Sequence, residues 1–183
     1  GYELGHMCDE KSDGMKYSTT HNWQKAFAIA HIVNDYPHMQ LIHISQDYGQ
    51  TYRSTFGSTN QSYFGAACSG DGRIMVVSNG LNSNNSGVLI SRDYGNTWSL
   101  TPAATQVGDI AFLATQRIVR ISQSGQHIAL ASASNGIILM SNDYGFTFRV
   151  ALSAVLSGVG MSADGRYVVV PAVNLIYQSS DYG

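Results

Sequence analysis

Few residues of this chain have the type and spacing for acid–base or covalent chemistry. Twelve carboxylates are present. Four recur in one setting, Asp47, Asp93, Asp143 and Asp181, each followed by Tyr-Gly. Three more, Asp13, Asp71 and Asp164, stand directly before a glycine. An Asp ahead of Gly favours a turn: the carboxylate accepts backbone N–H bonds locally, and Gly takes a left-handed backbone. Those seven therefore have structural roles available. Glu3, Asp9, Glu10, Asp35 and Asp109 are left over. Glycoside hydrolysis uses two positioned carboxylates, and within the repeating body only Asp35 and Asp109 could supply them. The competing reading, two loop residues, is simpler, and no catalytic residue is assigned.

The six histidines are His6, His21, His31, His38, His43 and His127. His6 and Cys8 with a carboxylate could ligate a metal, but the spacing matches no zinc motif. Scattered histidines in loops and strands are the expectation, with no metal and no cofactor. No calcium loop, phosphate-binding glycine loop or Gly-x-Ser-x-Gly elbow occurs. Cys8 and Cys68, if bonded, would close a loop worth about 4 kcal/mol in the chain-entropy model. Asn60-Gln61-Ser62 and Asn84-Asn85-Ser86 are sequons, so Asn60 and Asn84 are candidate glycan acceptors.

The elements that would position these groups come from internal repetition. Ser45-Gln46-Asp47-Tyr48-Gly49-Gln50-Thr51-Tyr52 recurs as Ser91-Arg92-Asp93-Tyr94-Gly95-Asn96-Thr97-Trp98. It recurs again as Ser141-Asn142-Asp143-Tyr144-Gly145-Phe146-Thr147-Phe148, then as Ser179-Ser180-Asp181-Tyr182-Gly183. The spacings are 46, 50 and 38 residues, the length of one four-stranded propeller blade. A second turn precedes each apolar run. Ser69-Gly70-Asp71-Gly72 leads into Ile74–Val77, Ser122-Gln123-Ser124-Gly125 into Ile128–Ala131, and Ser162-Ala163-Asp164-Gly165 into Tyr167–Val170. Ser12-Asp13-Gly14 reads as a degenerate first copy.

One unit is then strand, Asp-Gly turn, strand, loop, strand, Asp-Tyr-Gly turn, strand. In the second unit the strands fall near Tyr63–Cys68, Arg73–Ser78, Gly87–Ser91 and Thr97–Thr101. In the third they fall near Arg117–Ser122, His127–Ala133, Gly136–Ser141 and Thr147–Leu152. The fold class is all-β: a propeller of about four blades, whole or part of a larger one. The blades run about 26–60, 61–104, 105–153 and 154–183, after an N-terminal segment 1–25 that is irregular or supplies a closing strand. In each long turn the Thr is expected to begin the next strand, and Tyr52, Trp98 and Phe148 to bury against the blade.

The four segments resemble the Asp-box, or BNR, repeat, Ser-x-Asp-x-Gly-x-Thr followed by an aromatic. Its structural positions here would be Ser45, Asp47, Gly49, Thr51, Ser91, Asp93, Gly95, Thr97, Trp98, Ser141, Asp143, Gly145, Thr147, Phe148, Ser179, Asp181 and Gly183. The resemblance implies a turn between the third and fourth strands of a blade. The family includes sialidases, xyloglucan-degrading hydrolases, sortilin-type receptors and photosystem assembly factors, so the fold does not fix a function. Sialidases also use three arginines, a Tyr–Glu pair and an early Phe-Arg-Ile-Pro-like segment. That segment is missing, and only Arg117 and Arg120 are arginines without a place in the repeat.

Composition completes the reading. Charged residues make up 12% and the formal net charge is −2. No basic stripe points to nucleic acid, and no apolar run reaches the ~18 residues of a membrane helix. Such a surface suits an extracellular, cell-surface or virion protein. All four box segments carry Tyr, at Tyr48, Tyr94, Tyr144 and Tyr182. On radial blades these would share a face, where tyrosines stack on sugars or anchor protein contacts; alternatively each packs on its neighbouring turn. The chain breaks off after Gly183 with the last blade short of a strand. Tyr2–His6, further residues or another subunit would complete it. The expectation is a non-enzymatic structural or recognition module that binds a protein partner, itself, or a glycan. The alternative is a sialidase-like glycoside hydrolase fragment with its catalytic residues largely elsewhere.

Overall fold

The computed structural model describes residues 16–19, 26–30, 39–47, 50–59, 62–80, 88–101, 117–132, 136–154 and 157–183. These residues form strands and turns with no helix. The first sheet contains β1 (Lys16–Thr19), β2 (Ala26–Ala30), β3 (Met39–Ser45) and β4 (Arg53–Thr59). The second contains β5 (Ser62–Cys68), β6 (Met75–Gly80), β7 (Val88–Ser91) and β8 (Ser99–Leu100). The third contains β9 (Arg117–Ile121), β10 (Ile128–Ser132), β11 (Ile137–Ser141) and β12 (Arg149–Ser153). The fourth has β13 (Gly160–Met161), β14 (Val168–Pro171) and β15 (Ile176–Ser179).

Every sheet is an antiparallel meander in chain order. The first strands β1, β5, β9 and β13 neighbour one another in series, so the sheets stand side by side around one edge. The strand positions in the second and third sheets follow the turn chemistry read from sequence to within about two residues. The first sheet starts earlier than the sequence reading placed it. Lys16–Thr19 pairs with Ala26–Ala30 and so belongs to that sheet, although it lies ahead of residue 26.

The core lies between sheets, face to face. Ile42 and Ile44 meet Met75, Val77 and Leu89 across the first joint. Val76, Val88 and Ile90 meet Val119, Ile128, Leu130 and Leu139 across the second. Ala129, Ala131, Ile138 and Met140 meet Val159, Val168 and Val170 across the third. Each fully buried aliphatic contributes roughly 1.5–3 kcal/mol. This arrangement accounts for the sequence pattern. A strand with a sheet on either side has two dry faces and reads as a continuous apolar run. β7 and β10 are buried at every residue. β14 instead alternates buried and exposed, because among the described residues nothing covers its far face.

Candidate functional site

The long turns are built by one hydrogen-bond scheme. In the second sheet Ser91 Oγ donates to Asp93 Oδ1 at 2.8 Å and accepts the Gly95 N–H at 2.8 Å. Asp93 Oδ1 also accepts the Thr97 N–H at 2.9 Å, and Oδ2 accepts the Thr97 hydroxyl at 2.6 Å. Ser141, Asp143, Gly145 and Thr147 repeat the scheme at 2.6–2.9 Å. Ser45 and the Thr51 N–H bond Asp47 at 2.7 and 2.9 Å, and the Thr51 hydroxyl also donates to it. In the fourth sheet Ser179 bonds Asp181 at 2.6 Å and accepts the Gly183 N–H at 2.8 Å. Ser45, Ser91 and Ser141 are buried. The Thr residues do not begin strands as expected. Their N–H and hydroxyl are spent on the carboxylate, so β4, β8 and β12 start two residues later, at Arg53, Ser99 and Arg149.

At Asp47, Asp93 and Asp143 these bonds favour the charged form. The Thr51 hydroxyl, then its N–H and Ser45, lower Asp47 to about 2. The Thr97 hydroxyl and N–H likewise lower Asp93 to about 2. At Asp143 partial burial raises the value, but the bonds from Thr147 and Ser141 outweigh it and the net shift is downward.

Two consecutive residues of the long turn are left-handed in the second, third and fourth sheets. Gly95, Gly145 and Gly183 have φ of 78°, 77° and 84°, as the sequence anticipates. Tyr94, Tyr144 and Tyr182 have φ of 62°, 61° and 68°, which no local signal announces. A left-handed non-glycine residue costs about 1–2 kcal/mol. A cross-link to the second turn of the same sheet offsets it. The N–H groups of Tyr94, Tyr144 and Tyr182 donate to the carbonyls of Arg73, Gln126 and Arg166 at 3.1, 3.0 and 3.0 Å.

That second turn has its own seryl cap. Ser69 Oγ donates to Asp71 at 2.6 Å and accepts the Ile74 N–H at 3.0 Å, while Asp71 accepts the Arg73 N–H at 2.9 Å. Ser162, Asp164, Arg166 and Tyr167 repeat this at 2.5–3.0 Å. In the third sheet Ser124 replaces the Asp. It sits 3.2 Å from Ser122 Oγ and accepts the Gln126 N–H at 3.2 Å.

The two turns also join one sheet to the next. The Gly70 N–H donates to the Gln123 carbonyl at 2.8 Å, and the Gln123 N–H to the Ala163 carbonyl at 2.6 Å. Arg53 reaches the Tyr94 carbonyl at 3.1 Å, and Arg92 Nε the Tyr144 carbonyl at 3.2 Å. Arg149 donates to the Gly183 carbonyl. The Arg92 guanidinium also lies 4.1 Å above the Phe146 ring, a cation–π contact. The glycines seat the side chains of the preceding sheet: Ile44 on Gly95, Ile90 on Gly145, Met140 on Gly183, Ile74 on Gly125 and His127 on Gly165. The sequence signal for these joints was the matching offset of Arg53 and Arg149 and the apolar residue ahead of Ser45, Ser91 and Ser141.

Tyr144 and Tyr182 are drawn toward the preceding sheet. Tyr144 packs against the second core cluster. The Tyr182 ring stacks on His127 at 4.4 Å and remains 38% exposed. Tyr94 is half-buried. Tyr48 and Gly49 lie outside the described residues. Of the box aromatics, Phe148 is buried and Trp98 half-buried, whereas Tyr52 is 45% exposed, against expectation. Phe148 and Trp98 pack on the sheet before their own, whereas Tyr52 belongs to the first of the described sheets.

Asp13, Glu3, Asp9, Glu10, Asp35, Asp109, His6, His21, His31, His38, Cys8, Asn60 and Asn84 all lie outside the described residues. Cys68 closes β5 beside the first core cluster. Among the described residues no three His, Cys, Asp or Glu cluster around a point. His127 faces Asn142 Oδ1 at 3.0 Å and His43 faces Ser54 at 3.3 Å.

No protein-family model matches the chain, and no curated protein matches it. Solved structures do. The GH74 enzyme of Niastella koreensis superposes with a TM-score of 0.61 at 18% identity, over 91% of this chain and 26% of its own. The GH74 xyloglucanase of Xanthomonas campestris gives 0.59 at 13% identity, over 90% and 29%. A YCF48 structure bound to D1 peptide gives 0.55 at 12% identity, over 87% and 51%. The chain thus spans between about a quarter and a half of the length of these structures. At such identities the likeness concerns the fold, and the fold is that of β-propeller blades.

Proposed function

We propose that these are Asp-box blades of a propeller that works by recognition, holding a protein partner in an extracellular, cell-surface or virion setting. One observation carries the reading. Among the described residues, Asp47, Asp71, Asp93, Asp143, Asp164 and Asp181 all bond within their own turns. For Asp47, Asp71, Asp93, Asp143 and Asp164 those bonds lower the pKa. A carboxylate held low and locally bonded is a poor general acid near neutrality. The YCF48 structure with its bound peptide is a precedent for recognition on similar blades.

A second reading has a specific basis. The GH74 neighbours are enzymes and the chain matches about a quarter of each, so a hydrolase with its catalytic residues largely outside this chain is the alternative. The test screens the purified chain against a displayed peptide library and a glycan array, and assays hydrolysis of sialosides and xyloglucan oligosaccharides. Enriched peptides without hydrolysis are expected. Turnover that follows the protein through purification would overturn the proposal.

A further inference from the structure

The joint between the second and third blades, each of four strands, holds a guanidinium with donors to spare. At the first joint Arg53 reaches the Tyr94 carbonyl at 3.1 Å and, through the same nitrogen, Asn96 Oδ1 at 3.0 Å. At the second joint Arg92 reaches the matching carbonyl, that of Tyr144, through Nε at 3.2 Å. Phe146 stands at the place of Asn96 and has no side-chain oxygen to offer. The guanidinium lies 4.1 Å above its ring instead. Among the described residues nothing bonds the two terminal nitrogens of Arg92. Asp143 acts on it through space, but the Asp143 oxygens already hold Ser141 and Thr147. The turn fixes Phe146, whose N–H donates to the Asp143 carbonyl at 3.3 Å. Its side chain is nonetheless 61% exposed. A lone exposed apolar side chain needs no explanation. A half-buried guanidinium beside it with two open donors does, because its lost hydration is only partly replaced.

We infer that Arg92 and Phe146 together form a contact point for a partner polypeptide. The terminal nitrogens of Arg92 take an Asp or Glu carboxylate, and the exposed ring of Phe146 takes an apolar side chain next to it. The partner's carboxylate supplies the acceptor that Asn96 supplies one joint earlier. Two coplanar nitrogens suit the two oxygens of a carboxylate, and Arg and aromatic residues are frequent anchors of protein interfaces. A sugar ring fits less well, since Phe146 has neither a hydroxyl nor a ring N–H for sugar hydroxyls. This rests on the recognition reading and names the surface that carries it.

The probe is a displayed library of random peptides selected on the purified chain. Recovered peptides are expected to carry Asp or Glu beside an aliphatic or aromatic residue. One of them is labelled and its affinity read by fluorescence anisotropy. It should bind roughly tenfold more weakly to Phe146→Gln, which copies Gln50 of the first box, with circular dichroism unchanged. Arg92→Lys, which keeps the charge and loses the planar fork, should weaken binding to a similar degree. Phe146→Tyr, which keeps the ring, should bind within about threefold of wild type. Peptides without an acidic bias, or equal affinity for wild type and Phe146→Gln, overturn the inference and leave the recognition reading standing. Acidic glycans that bind when no peptide does overturn it in favour of a sugar. If neither peptides nor glycans bind, the recognition reading falls with it.

Discussion

Replacing Gly145 with Ala probes the joint between the second and third blades at a close approach to its buried core. Gly145 has φ of 77°, and a Cβ there would lie 2.7 Å from Ile90 Cδ1 and 3.2 Å from Ile128 Cδ1. The backbone term is about 1–2 kcal/mol, the cost of a left-handed Ala. The packing term is about 1–3 kcal/mol, because Ile90 and Ile128 are 1% and 0% exposed and have little space to move into. Gly145→Ala should therefore destabilise by about 2–5 kcal/mol in urea melts followed by circular dichroism. Two comparisons separate the terms. Gly158→Ala, where a Cβ meets only Pro171 Cγ at 3.7 Å, should stay within about 0.5 kcal/mol of wild type. Ile90→Val removes the nearest clashing atom at a cost of about 0.5–1.5 kcal/mol on its own. In that background Gly145→Ala should cost about 1 kcal/mol less, a favourable coupling. The reasoning is refuted if Gly145→Ala matches wild type, or if its cost is the same with and without Ile90→Val.

Three further outcomes follow from the turns and joints. Asp93→Ala should cost about 1–2 kcal/mol at neutral pH, as for loss of a charge-assisted local cap. Asp93 is held below its ordinary 3.8, at about 2, so its contribution is complete above about pH 4 and fades as pH falls toward 2; urea midpoints of mutant and wild type should converge over that window. Arg92→Ala should cost about 1–2 kcal/mol, since it loses both the Tyr144 carbonyl and the Phe146 ring. Arg149→Ala, whose bond to Gly183 is exposed, should cost less than about 1 kcal/mol, and equal effects in thermal melts would count against the ranking. Phe148→Ala should cost about 3–5 kcal/mol, the largest of these effects, and a melt within 1 kcal/mol of wild type would contradict its place in the core between the second and third blades.

The parts of the fold that were legible from sequence are those fixed by local chemistry. Asp71-Gly72 and Asp164-Gly165 announce turns because the carboxylate and the left-handed Gly act within a few residues. The run Ile128–Ala131 announces a strand dry on both faces. What stayed hidden depends on pairs far apart in sequence. Nothing local to Tyr94 signals a left-handed backbone, because the bond to the Arg73 carbonyl that holds it comes from another turn. Arg53 and Arg149 shared an offset, but the carbonyls they reach lie 41 and 34 residues away. Tyr52 is exposed where Phe148 is buried, although both stand at the same place in their boxes.

The joints share a direction. At each, the guanidinium and main-chain donors belong to the earlier blade and the carbonyls to the later one: Gly70 to Gln123, Gln123 to Ala163, Arg53 to Tyr94, Arg92 to Tyr144, Arg149 to Gly183. Ile44, Ile74, Ile90, His127 and Met140 obey the same order, each seated on a glycine of the later blade, whereas Gly70 of the second blade takes the Gln123 side chain of the third. The arc therefore has a head and a tail, with unlike chemistry at its two ends. Two such arcs cannot meet through a twofold axis by reusing these joints, since donors would face donors. Any assembly that extends the pattern is heterologous: it closes as a ring if the rotation per blade allows, and otherwise winds on as a filament.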